Sequence, residues 1–183
     1  MKRLILLSLL FSTIVQAQTF TIDTAQTLQW QGKAAVGGYA PEGTLKTASA
    51  SLTLTDYIIE DLRVTIDMNT LEQENSQLRN HLRDKDFFHI KKYPTATFQL
   101  SNPSQIEDGK AQLTGQMTIR GKTRTETLEA TLNLSEGKVE LRFEYTMDRT
   151  DYDIIYNSPS FFKRLKDQAI ADDFVLKGEL VFK

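Results

Sequence analysis

Asp148, Arg149, Asp151 and Asp153 form the polar cluster best equipped for chemistry. The planar fork of Arg149 suits bidentate contact with a phosphate or carboxylate headgroup. It suits internal pairing equally, with one of these aspartates or with a carboxylate on a neighbouring strand, which would close one end of the fold. Arginine beside acids usually finds them first. His81 and His89 are eight apart and lack the i, i+4 spacing of a helical metal site. His81 falls on an expected helix, where packing or hydrogen bonding suits it better than general base work. No Gly-x-Ser-x-Gly elbow is present, and "AVGGYAPEG" lacks the strand–turn–helix context of a phosphate loop, so it reads as a bend or a barrel mouth. Lys91 and Lys92 offer an anionic head only weak attraction. The absence of cysteine excludes disulfides, thiol catalysis, Cys-type metal sites and an anchor on an N-terminal cysteine. No catalytic or metal-ligating residue is assigned, and the expectation is a protein that is not an enzyme.

The elements that must position these groups begin after a leader. Met1-Lys2-Arg3, the apolar run "LILLSLLFSTIV" and Val15-Gln16-Ala17 read as a secretory signal peptide over residues 1–17. The run is shorter than the roughly 20 residues of a membrane-spanning helix, so no stable membrane insertion of the mature chain is expected. Cleavage there leaves one domain, residues 18–183, with 20 basic residues against 24 acidic ones once Lys2 and Arg3 are removed. No basic surplus advertises nucleic acid. A periplasmic or secreted location follows.

Period-two alternation dominates that domain. Leu62, Val64, Ile66 and Met68 share one side of a strand, as do Ala48, Ala50, Leu52 and Leu54, and Val139, Leu141, Phe143, Tyr145 and Met147. The same pattern recurs around Phe20, Trp30, Phe98, Met117, Leu132 and Leu176, giving about nine strands. Gly121 and Gly137 mark hairpin turns. The fold class is all-β, and the economical arrangement is a closed antiparallel barrel, with a two-sheet sandwich as the alternative. Two segments break the alternation. "ENSQLRNHLRDKDFF" predicts a short helix capped by Asn75 or Ser76, with Leu78 and Leu82 on its apolar side. "SPSFFKRLKDQAI" predicts a second, with Phe161, Phe162 and Leu165 forming its apolar side. Both carry a Phe-Phe pair, fit to cover an open barrel end.

The stretches "WQGKAAVGGYAPEGTLK", "HLRDKDFFHIKKYPTATF", "LTGQMTIRGKTRTETLEATL" and "MDRTDYDIIYNSPSFF" together resemble the YceI-like family. The resemblance runs in order along essentially the whole of residues 18–183. It implies an extended, lipocalin-like antiparallel β-barrel of about eight strands with two short helical insertions. It also implies a long cavity that in some members holds a polyisoprenoid or other long-chain amphiphile. The matching segments mark Trp30, Phe87, Phe88, Tyr93, Phe98, Met117, Phe143 and Tyr145 as candidates for the cavity or its mouth, and Arg149 joins them as the headgroup candidate. Phe87 and Phe88 stand as a lid or as a plug. The extended "YNSPSFFKRLKDQAIADDF" departs from the family pattern and is placed to reshape one entrance. The expected partner is a long-chain lipid or isoprenoid held for carriage or storage, with no other cofactor, and a homodimer stays open. The competing reading is a structural or stress-protective secreted protein whose inward residues fill a solid core.

Overall fold

A computed structural model of the chain describes residues 16–183, so the expected signal peptide, apart from its last two residues, lies outside the described residues. Ten strands follow in order: β1 (Gln18–Thr21), β2 (Thr27–Gln31), β3 (Glu42–Thr55), β4 (Ile58–Glu72), β5 (Thr95–Leu100), β6 (Ser104–Gln105), β7 (Lys110–Ile119), β8 (Lys122–Ser135), β9 (Lys138–Asp148) and β10 (Asp173–Phe182). One helix, α1 (Ser76–Arg83), and two 3₁₀ turns, Arg149–Tyr152 and Lys166–Gln168, lie between them.

The ring β3-β2-β10-β9-β8-β7-β5-β4 closes through the β3–β4 pairing, giving an eight-stranded antiparallel barrel and not a sandwich. β1 pairs the far half of the same β3 edge that β2 pairs, so the two are one interrupted strand, while β6 adds a short pairing to β4. Where β1 and β2 part, the Gln26 side chain stands in for backbone: its amide donates to the Val181 carbonyl, and its Oε1 accepts from the Val181 N–H, both at 2.8 Å. Closure leaves no long unpaired edge at this seam.

Strand direction sorts the connections into two ends. The mouth end carries the 32–41 loop, the 73–94 connection with α1, the 120–121 turn and the 149–172 connection. The far end carries the turns at 22–26, 56–57, 101–109 and 136–137. Alternation builds the interior between them, with Leu52, Ile59, Leu113, Leu180 and Phe182 almost wholly buried. One row departs from expectation. The β3–β4 register shifts between Thr47 and Ser49, and this bulge turns Thr47 inward and leaves Ala48 exposed. Thr47 is not orphaned, because its hydroxyl accepts the Gln26 backbone N–H at 2.8 Å.

The helix α1 forms as expected. The Asn75 side chain caps it, accepting from the Gln77 and Leu78 N–H groups, and Leu82 is its buried residue. After the cap at Asp84 the chain reverses through His89, at φ 50°, which returns Phe87 and Phe88 to the mouth. The second expected helix is corrected. Positive φ at Asn157, Arg164 and Lys166 interrupts any helical run, and only the three-residue 3₁₀ turn survives. The Ser158 carbonyl accepts from both Phe161 and Phe162 N–H in one turn that does not propagate. Those two rings consequently face solvent.

Close approach at the mouth depends on Gly43, paired across the ladder with Trp30. A Cβ there would lie 2.0 Å from the Glu72 carbonyl oxygen and 2.6 Å from the Trp30 ring, whereas one at Gly32 would meet nothing. Gly43→Ala is therefore expected to lower unfolding stability by about 1–3 kcal/mol, the cost of overpacking, while Gly32→Ala changes little. Urea melts of the two variants check the contrast.

Candidate functional site

The barrel interior is filled at the far end and open at the mouth. An outer chamber of about 170 Å³ lies at the mouth end, and an inner one of about 50 Å³ lies deeper. A single buried water needs only about 10–15 Å³, so the outer chamber is a genuine void. Its wall is built from the inward rows, with Ile66, Met68 and Leu71 of β4, Ala96 of β5 and Met147 of β9. Leu78 and Leu82 of α1, with Phe87 and Phe88, cover it. Charge touches this lining only through Lys33, Arg149 and Asp173, all on or beside the mouth-end loops. Ile66, Met117 and Leu176 line both chambers and so form the constriction between them. Tyr39 lines the outer chamber while 59% exposed, which locates its opening.

The residues marked in the sequence divide accordingly. Trp30, Phe87, Phe88 and Arg149 border the outer chamber, Phe98 and Phe143 the inner one, and Met117 both. Phe87 is buried in an aromatic cluster, edge-on to His81 at 5.1 Å and tilted on Tyr156 at 5.5 Å, and Phe88 packs edge-on to Phe174. The pair is thus both anchored and cavity-facing, joining the lid and plug readings. Tyr93 lies at the mouth end but lines neither chamber. It precedes β5, and its half-buried ring packs against the 120–121 turn, where a Cβ on Gly121 would come within 2.7 Å of it. Tyr145 is likewise absent from both linings. It lies on the inward row of β9 but lines neither chamber, because its hydroxyl donates to Glu126 at 2.5 Å.

Glu126 also accepts the Tyr152 hydroxyl at 2.7 Å. This carboxylate was missed in the sequence, although its parity with Leu128 and Ala130 puts it on the inward row of β8. Its position matters because backbone pairing between β8 and β9 runs only from Ser135↔Lys138 to Ala130↔Phe143. From there to the mouth the two strands are joined across Glu126 by side chains. Burial, reinforced by the hydrogen bond to Glu126 and its charge, pushes both phenols well above their ordinary pKa.

Arg149 turns inward instead of waiting for a headgroup. Its guanidinium donates to the carbonyls of Ala171 (3.0 Å), Ile154 (2.5 Å) and Ile170 (3.0 Å), and pairs with Asp172 at 3.4 Å. Burial pushes its pKa down, and Asp172 and Asp148 oppose that. The partner is not Asp148, Asp151 or Asp153; Asp148 caps the Arg149–Tyr152 turn. His81 packs edge-on to Tyr156 at 4.6 Å. Among the described residues, no group of three or more His, Asp or Glu is arranged to hold a metal ion, and no helix is long and apolar enough to cross a membrane.

Known proteins share this architecture. The family model described as YceI-like domain matches residues 20–182. Protein YceI of Salmonella arizonae is 31% identical over 104 residues, covering 49% of this chain and 54% of that protein. A UPF0312 protein of Pseudomonas aeruginosa strain LESB58 is 34% identical over 73 residues, covering 40% and 38% respectively. The chain thus matches about half or less of the length of these relatives. Among solved structures, BcnA of Burkholderia cenocepacia is similar with TM-score 0.64 at 20% identity, covering 85% of this chain and 95% of that one. A polyisoprenoid binding domain from Saccharophagus degradans gives TM-score 0.65 at 12% identity, covering 90% and 97%. At such identities these two likenesses speak for the fold alone.

Arg149→Met is expected to lower stability by about 3 kcal/mol, since buried carbonyls lose their donor, and Arg149→Lys to recover little because a point charge cannot replace the fork. Denaturant melts measure both; unchanged stability would speak against an internal role. The tyrosines predict a pH dependence. Above pH of about 10 the unfolded chain releases phenolic protons that folded Tyr145 and Tyr152 retain, so the unfolded state binds fewer protons and stability falls as pH rises. Absorbance titration is expected to find two of the six tyrosines ionising only together with unfolding. All six titrating reversibly in the ordinary range would contradict this.

Proposed function

The chain belongs to the YceI-like family, and from that premise we propose that it is a periplasmic or secreted binding protein holding a long-chain apolar ligand of the polyisoprenoid type, as a carrier or store and not as an enzyme. The observation that carries the reading is the outer chamber: a void of about 170 Å³ walled by aliphatic and aromatic side chains and open beside Tyr39. The likeness to a domain described as polyisoprenoid binding supports the ligand class.

Physical chemistry makes such a site sufficient without a reactive group. Burial of chain carbons contributes about 0.8 kcal/mol per CH₂, so twenty carbons give on the order of 16 kcal/mol gross. Association and ordering remove much of that, yet tight binding survives. A chain entering past Tyr39 meets Ile66, Met117 and Leu176. The flexible thioether of Met117 is the side chain there that can swing aside and admit it to the inner chamber. Arg149 serves this site as a fixed end wall, its donors already committed to carbonyls.

Solvent extraction of the purified protein followed by mass spectrometry tests the proposal, together with Trp30 fluorescence during titration with farnesol and longer isoprenoid alcohols. A long-chain species near one per protein, or saturable quenching of the single tryptophan at the chamber wall, is expected. An empty extract with unresponsive fluorescence would remove the binding reading and return the filled-core alternative.

A further inference from the structure

The exposed apolar side chains are not scattered. Among the described residues, five large hydrophobic side chains stand exposed, and four of them, Val36, Tyr39, Phe161 and Phe162, lie at the mouth end. They occupy two loops that backbone bonds zip together: Ala34 bridges Ile170, the Ala35 N–H donates to the Ala169 carbonyl at 2.9 Å, and the Ala171 N–H donates to the Lys33 carbonyl at 3.0 Å. The rings are therefore mounted on one braced tip. Tyr57, the fifth, is alone in the far-end 56–57 turn.

Charge follows the same geography. Lys163, Arg164 and Lys166 are exposed beside the two phenylalanines, and none of them enters an ion pair among the described residues. Asp167 is the one acid between Asn157 and Ala169. The far-end turns carry Asp23, Asp56, Glu107, Asp108 and Glu136 without a lysine or arginine in them. In a chain of net charge −2, the tip is a local reversal. Its aromatic loops are also continuous with the opening, since Lys33, Ala34, Tyr39 and Ile170 line the outer chamber.

Exposed rings interleaved with uncommitted cations match the headgroup layer of an anionic bilayer, where rings seat at the acyl boundary and cations meet phosphates. A second copy of the chain fits less well, because a two-fold contact at this tip sets Lys163, Arg164 and Lys166 near their own duplicates. We infer that the tip formed by residues 32–41 and 157–169 docks the protein on an anionic lipid bilayer, with the mouth of the outer chamber turned toward the membrane. What passes through that mouth rests on the binding reading above; the docking does not.

Co-sedimentation of the purified protein with vesicles tests this, using phosphatidylcholine alone and phosphatidylcholine mixed with phosphatidylglycerol. The parent chain is expected to bind the mixed vesicles, with the greater part released by salt and a smaller fraction, held by the rings, left behind. Lys163→Gln, Arg164→Gln and Lys166→Gln together are expected to weaken partitioning on the order of a hundredfold at low salt, roughly fivefold per charge. Phe161→Ser with Phe162→Ser is expected to remove the binding that resists salt, while the far-end Tyr57→Ser changes nothing; circular-dichroism melts confirm that each variant is folded. Tip variants that bind like the parent, or a Tyr57→Ser variant that loses as much as they do, would overturn the inference. So would a dimer abolished by the Phe161→Ser, Phe162→Ser pair in a protein indifferent to vesicles, which assigns the patch to a second copy. Vesicle binding with an empty solvent extract retains docking and removes the binding reading; an extractable isoprenoid without vesicle binding does the reverse.

Discussion

Closure of the sheet is the constraint on which the rest depends. Once β3 pairs with β4, every long strand has two neighbours and every alternate side chain is committed to one shared interior. The strand count then fixes how wide that interior is, whatever residues point into it. At the far end Phe20, Leu52, Ile59 and Phe182 fill the width. Toward the mouth the inward rows include the small side chain of Ala96, and the covering elements arrive from α1 and the long connections, so volume is left over. The cavity is what an eight-stranded ring leaves where its side chains do not reach the middle.

Keeping that void open demands rigid surroundings, and the polar groups nearby serve that end. Arg149, the best candidate for reaching outward, is spent on three carbonyls and Asp172, which ties the two ends of the 149–172 connection to each other. Satisfied donors in a low-dielectric setting hold geometry well, and leaving those carbonyls bare would be expensive. The loops of the mouth can therefore carry exposed rings without collapsing into the space they border.

Much of this was legible in the residues themselves. Alternation at Leu62, Val64, Ile66 and Met68, or at Leu113 and Met117, identifies the wall because period two has a single structural meaning. Asn75 announces α1 for an equally local reason. Ala48 was misread because a bulge inserts a residue without changing composition. Tyr145 resisted for another reason: parity says which face a residue takes but not which neighbour claims it, and Glu126 claimed this one. Phe161 and Phe162 had helical spacing and capping serines, yet left-handed backbone at Arg164 and Lys166 broke the run. Local pattern predicts elements well where the ladder repeats, and poorly where single residues at loop positions choose the backbone.

The join between β8 and β9 is where the girth of the barrel is set by side chains. Elsewhere, widening the ring would mean tearing a ladder of backbone bonds, but on the mouth side of Ala130↔Phe143 the wall is spanned by side chains: the hydroxyl-to-carboxylate contacts at Glu126, the Lys122–Asp153 ion pair and the hydrogen bond from Arg120 to the Asp153 carbonyl. Tyr145 and Tyr152 meet Glu126 through their hydroxyls, so this stretch of the wall does not depend on strand pairing. The wall thus has a seam, set along the half of the cylinder that surrounds the void, where side chains and not a backbone ladder set the width of the hoop.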